Sequence, residues 1–330
     1  MTEVKPGIYQ LRLPLPPGSS VKYVNDYLIQ GDNEYLLIDT GWNTDEAFEA
    51  LKGQLAEIRV SFEEIAQIVI THIHPDHYGL SGRLKQLSPA KIALHHLEEN
   101  IIGSRYINME ELLQQIKHWL HTNGVAANEL PELQMASLGM AKFVAPTLPD
   151  IIFRGEETVA IGSLNFRVVW TPGHSPGHIS LYEPTQKILA AGDHILPTIT
   201  PNIGLHPQSS SNPLADYLNS LNALKQFDVT LVLPGHESPF TGLAPRIEAL
   251  IQHHKQRNTE IIGNLAAKSK TAYQISTEIS WMSDGISWQS LSPRNKRLAL
   301  LETIAHLESM GTEGKVDKFS KNSIIYYQSS

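Results

Sequence analysis

No cysteine occurs in the 330 residues of the chain. That absence excludes disulfides, thiolate nucleophiles and cysteine-ligated zinc together, so any metal site has to be built from His, Asp and Glu. Positive charge is also short, with 26 Lys and Arg against 34 Asp and Glu and a formal net charge of -8. A general nucleic-acid binder would normally be basic. No apolar run approaches the ~20 residues of a membrane span, and residues 1–6 lack the apolar stretch of a signal peptide. A cytoplasmic protein without a membrane partner is the expectation. What the chain does have is length and an apolar content of 41%, enough for one large domain and a smaller one.

Strand-like runs dominate the N-terminal part. Residues 7–11 precede a Pro/Gly/Ser turn at 14–20, and runs at 24–29 and 35–39 flank Gly31-Asp32-Asn33, a hairpin pattern. Phe48, Leu51, Leu55 and Ile58 recur at helical spacing ahead of an apolar run at 65–70, and 91–95 reads as the next strand. Alternating strands and helices predict mixed α/β layers. Between 97 and 149 the texture turns helical, at 109–120 and 132–143, an insertion that either covers an active-site mouth or packs elsewhere. Strands resume at 151–153, 164–170, 178–182, 187–191 and 229–233. Beyond Pro239, helices at 244–267, 271–279 and 293–310 lead into a hairpin turning near Lys321-Asn322, the element order of a winged helix.

The run at 65–70 ends in Thr71-His72-Ile73-His74-Pro75-Asp76-His77, three imidazoles and a carboxylate in six consecutive positions. Imidazole nitrogen and carboxylate oxygen are the donors that Zn²⁺ and its first-row neighbours take. Three later segments repeat the arrangement of a strand, a turn and one ligand-type residue: Thr171-Pro172-Gly173-His174, Ala190-Ala191-Gly192-Asp193 and Leu233-Pro234-Gly235-His236. Loops at strand ends on a rigid sheet are where side chains from distant sequence converge.

This set resembles the metallo-β-lactamase superfamily, whose pattern is His-x-His-x-Asp-His followed by a His, a bridging Asp and a last His. The resemblance runs from about Gly7 to Gly242 and fills all seven ligand positions. It implies one metal on His72, His74 and His174, a second on Asp76, His77 and His236, and Asp193 bridging both. It further implies an α/β fold, the αββα sandwich, as a catalytic domain over 1–242 with the 97–149 insertion, followed by a helical linker and winged-helix-like domain over 243–330. Asp39, in Ile38-Asp39-Thr40-Gly41, matches an early Asp that orients a ligand histidine through its other ring nitrogen. His178 and His194 adjoin ligands without matching one and are expected to back the site or wall its pocket.

Two divalent ions, most simply Zn²⁺ with Mn or Fe as alternatives, can share a hydroxide about 3.5–4 Å from ion to ion. Asp76 is the expected catalytic proton carrier. Members of the superfamily with this ligand set include hydroxyacylglutathione hydrolases (glyoxalase II), lactonases, phosphodiesterases and ribonucleases. The C-terminal segment resembles the winged helix of one glyoxalase II-like branch. The expectation is therefore hydrolysis of a small-molecule thioester or lactone, with Tyr106, Trp119, Met135 and Met140 as apolar wall. The alternative is a ribonuclease-like hydrolase whose winged helix docks nucleic acid through Arg294, Lys296 and Arg297; a packing or homodimer role for that segment stays open.

Overall fold

The computed structural model describes residues 1–16, 21–136, 138–281 and 287–330. The centre of the Pro/Gly/Ser turn, 17–20, lies outside the described residues.

Two sheets form the middle of the molecule. The first runs β1 (Thr2–Lys5), β2 (Ile8–Pro14), β3 (Tyr23–Gln30), β4 (Tyr35–Ile38), β5 (Ile65–Val69), β6 (Lys91–His95) and β7 (Ile151–Phe153) in spatial order. Its hairpin half is antiparallel, with Gln30 opposite Tyr35 across the expected turn, and β4 to β7 are parallel. The second sheet has the order β12 (Leu231–Pro234), β11 (Ile188–Gly192), β10 (Ile179–Glu183), β9 (Leu164–Trp170) and β8 (Thr158–Ile161).

Side-chain alternation fixes which face each strand shows. Leu36 and Ile38 of β4 join Phe166, Val168, Leu181 and Ile188 of the second sheet in the inter-sheet core, while Leu37 points the other way. On that outer face Leu37 meets Phe48, Leu51 and Leu55 of α1 (Asp45–Glu57), whose N-terminus is capped by Thr44 Oγ1 accepting from Ala47 N at 3.1 Å. Each of these apolar side chains contributes about 1.5–3 kcal/mol when fully buried. Leu189 and Ala191 of β11 face outward onto α7 (Pro213–Leu224) and α8 (Leu243–Leu265). Helix, sheet, sheet, helix is the layering the resemblance implies, and it is present.

Sequence periodicity missed β1, β8 and α7. The 132–143 segment, expected as one helix, is α6 (Leu130–Met135) followed by a separate 3₁₀ stretch, Leu138–Phe143. The helix expected at 109–120 is α5 (Glu110–Thr122). The C-terminal order is as expected: α8, α9 (Ala272–Glu278), α10 (Pro293–Thr312), then β13 (Val316–Lys321) paired with β14 (Ile324–Ser329). One apolar cluster joins Leu112 and Ile116 of α5, Leu189 and Val232 of the second sheet, and Leu300 and Ile304 of α10. The insertion and α10 thus meet over the sheet that carries part of the cluster of donors.

Candidate metal centre

The parallel strands end on one rim, and the donors stand on the loops that follow. β5 stops at Val69, and Pro75 opens the short helix α2 (Pro75–Tyr78), which carries Asp76 and His77. His174 follows β9, Asp193 follows β11 and His236 follows β12. Gly192 takes φ 48°, and a Cβ there would stand 2.7 Å from His178 Nε2. Glycine is needed to bring Asp193 in this tightly.

All seven expected donors converge on two foci. His72 Nε2 and His174 Nε2 each lie 2.9 Å from His74 Nδ1. Beside them, His236 Nε2 is 3.4 Å from Asp76 Oδ2, and His77 Nε2 is 3.4 Å from Asp193 Oδ1. Asp193 reaches both groups, its Oδ2 standing 3.7 Å from His174 Nε2 and 3.4 Å from His236 Nε2. Donor atoms of His72, His74 and His174 lie within 4.8 Å of one another, as do those of Asp76, His77 and His236.

Behind the donors, each outer ring nitrogen or loop is held in place. Asp39 Oδ2 accepts from His77 Nδ1 at 2.8 Å and from Thr71 Oγ1 at 2.8 Å, and its Oδ1 accepts from Thr71 N at 2.7 Å. The residue holds a φ of 63°, a strained setting for a non-glycine. Carbonyl oxygens of Asn202 and Tyr23 accept from Nδ1 of His174 and His236, at 2.9 and 3.1 Å. His178 Nε2 accepts the Asp193 amide at 3.2 Å, so this histidine packs directly behind Asp193. His194 does not: among the described residues neither of its ring nitrogens has a partner, and the ring packs on Tyr217.

Charge sorts the two foci. Burial, reinforced by mutual repulsion, holds His72 and His74 well below the ordinary imidazole range, so both present neutral nitrogen lone pairs. Burial also pulls on His236, but Asp193 and Asp76 outweigh it and lift the ring to about 10. A pocket whose carboxylates hold cationic charge this firmly fits a divalent cation. His77 Nε2 and Asp193 Oδ1 are buried and, though close, make no hydrogen bond. Unpaired buried polar atoms are costly, and a cation shared between them satisfies both. The residues present therefore fit divalent metal.

A cavity of about 340 Å³ opens onto the rim. Tyr106, Leu112, Leu113, Ile116 and Met140 of the insertion form one wall, and Arg294, Arg297, Leu298 and Leu301 of α10 another. Of the four expected wall residues, Tyr106 and Met140 are there. Trp119 instead packs against the core, and Met135 faces solvent at 58% exposure. Arg297, a candidate contact in the nucleic-acid alternative, is only 6% exposed and lines the cavity; Arg294 borders the same space, and Lys296 does not.

Sequence reasoning missed Glu98, Asn202 and Arg105. Glu98 is fully buried, its carboxylate accepting from Ile73 N at 3.0 Å and Gly177 N at 2.7 Å, which ties the His72–His74 loop to the His174 loop. For Arg105 the sequence offers one signal, a lone charge in the stretch from Ile101 to Ile107.

A family model described as the metallo-beta-lactamase superfamily matches residues 20–236. Among curated relatives, the probable metallo-hydrolase YqjP of Bacillus subtilis is 28% identical over 97% of both chains. Human acyl-coenzyme A thioesterase MBLAC2 is 29% identical over 66% of this chain and 74% of its own. The crystal structure of metallo-beta-lactamase family protein TTHA1429 from Thermus thermophilus superposes with TM-score 0.84 at 32% identity, covering 99% of this chain and 100% of that one.

Proposed function

The chain belongs to the metallo-beta-lactamase superfamily, and from that membership we propose a dinuclear metal-dependent hydrolase that cleaves a small-molecule thioester or lactone. One observation carries the reading. Five of the seven metal-type donors, His74, Asp76, His174, Asp193 and His236, line a cavity whose walls are more apolar than polar, a setting suited to an acyl chain rather than to a nucleic-acid strand. The relation to an acyl-coenzyme A thioesterase supports the thioester arm.

In this reading His72, His74 and His174 would hold one ion and Asp76, His77 and His236 the other, with Asp193 within reach of both groups. Bound there, a pair of divalent ions lowers the pKa of water towards ~7 and polarises a carbonyl. The chain supplies the rest. Asp39 and the carbonyls of Asn202 and Tyr23 fix the donor rings, so little reorganisation is needed when charge develops at the carbonyl. Leu112, Leu113 and Ile116 exclude water from an acyl chain. Asp76 borders the cavity and takes the attacking water's proton on its carboxylate, then returns it to the leaving thiolate or alkoxide.

The test is turnover by the metal-loaded protein of an acyl thioester, a homoserine lactone and single-stranded RNA. Hydrolysis of the thioester or the lactone is expected. Hydrolysis of RNA alone, abolished by Arg294→Ala with Arg297→Ala, would overturn the reading.

A further inference from the structure

The walls of the cavity are not apolar throughout. Arg105, from the insertion, and Arg294 and Arg297, from the start of α10, border it together. Only two carboxylates line the same space among the described residues, Asp76 and Asp193, and both belong to the donor cluster. No carboxylate of the described residues pairs with any of the three guanidiniums. Arg105 Nη1 donates to Gln208 Oε1 at 3.3 Å and Arg297 Nη1 to Gln134 O at 3.4 Å, both long contacts to neutral oxygens.

This arrangement opposes the interests of the fold. Arg297 is buried, and burial together with the charge of Arg105 lowers its pKa to about 10. A desolvated guanidinium beside a second one, without a counter-ion, is destabilising. Helix α10 adds to the positive potential. Its first turn contains no acid, and Arg294 fills a position where the helix dipole favours Asp or Glu. Three like charges in one place are not explained by packing.

His206 completes the patch. Burial, then Arg105 and Arg297, depress it to about 3, so it stays a neutral donor. Its Nδ1 accepts from Gln208 N at 3.2 Å, which leaves the proton on Nε2. Arg105 also bears electrostatically on His74, so the basic patch and the donor cluster share one chamber.

We propose that Arg105, Arg297 and His206 form an anion subsite, and that the substrate is an amphipathic acyl compound carrying a carboxylate or phosphate besides its scissile carbonyl. The proposal rests on the hydrolase reading for the reaction, and on the cavity alone for the binding. Guanidiniums take carboxylate and phosphate oxygens through paired N–H donors, and the bound anion supplies the counter-charge the fold lacks.

Calorimetric titration of the metal-loaded protein with two ligand pairs tests it. Adipate against hexanoate differs by one carboxylate on the acyl side. 4′-Phosphopantetheine against pantetheine differs by one phosphate on the thiol side. In one pair the member with the additional anionic group should bind about tenfold or more tightly than the member without it, and which pair does so identifies the side that carries the anion. Arg297→Gln and the more exposed Arg105→Gln should each reduce that ratio at least about fivefold. Two ratios near one in the wild type, or ratios unchanged in a folded Arg105→Gln, would overturn the subsite. A retained ratio in a protein that hydrolyses no thioester or lactone would leave the subsite standing and remove the hydrolase reading.

Discussion

The side-chain amide of Asn202 donates to Glu302 Oε2 at 2.9 Å, while the carbonyl of the same asparagine accepts from Nδ1 of His174. Helix α10 thus reaches a donor ring through one residue. Burial raises the Glu302 carboxyl from its ordinary 4.5 to about 6. The folded chain therefore holds this proton more tightly than the unfolded chain. Its contribution to stability is intact below pH 4.5 and falls by about 2 kcal/mol as the pH rises through 6. Glu302→Gln does not titrate, so its stability relative to the wild type should climb by that amount between pH 4.5 and 7. Urea melts at the two pH values measure it, and a constant difference would contradict the assignment.

Asp39 holds His77 and the start of the His72 loop with one carboxylate. Asp39→Asn keeps the shape but replaces one acceptor oxygen with a donor. Affinity for the ion assigned to Asp76, His77 and His236 should fall about ten- to a hundredfold. Competition with a chromophoric chelator reads this directly.

Glu98 accepts two buried backbone amides, from Ile73 and Gly177. In Glu98→Gln one amide hydrogen faces an NH₂ group. The expected loss is about 1.5–3 kcal/mol of folding stability, seen as a lower denaturation midpoint. A midpoint equal to the wild type's would show that the two loops do not depend on this tie.

Leu113 faces the cavity from α5. Leu113→Asp places a charge where methylenes of an acyl chain would lie. The preference for a hexanoyl over an acetyl thioester, expressed as a ratio of kcat/KM, should fall about tenfold at ~0.8 kcal/mol per lost methylene contact. An unchanged ratio would place the acyl chain elsewhere.

The sequence is most legible where chemistry is local. His72, His74, Asp76 and His77 lie within six residues, and turn glycines precede His174, Asp193 and His236, so the seven side chains that the fold brings together stand out in the amino-acid order. Asp39 and His178 also stand out by position. Glu98 and Asn202 do not, because their roles depend on backbone groups of loops distant in sequence, and a carboxylate or amide gives no sign of which N–H it will meet. Trp119 and Met135 fall outside the expected wall for a related reason. Helical spacing says which face of a helix is apolar, not whether that face meets a core or a cavity. The amino-acid order offers the arginines of α10 only as candidate nucleic-acid contacts, whereas the fold buries Arg297 against the insertion.

Metal content and thioester turnover, measured on one sample of purified protein, decide whether this is a dinuclear hydrolase. Two divalent ions per chain and hydrolysis of an acyl thioester are expected, with both lost in His72→Ala with Asp193→Ala while the circular dichroism spectrum stays native. A chain that binds at most one ion, or that hydrolyses thioesters equally well after both ions are stripped, would contradict that reading.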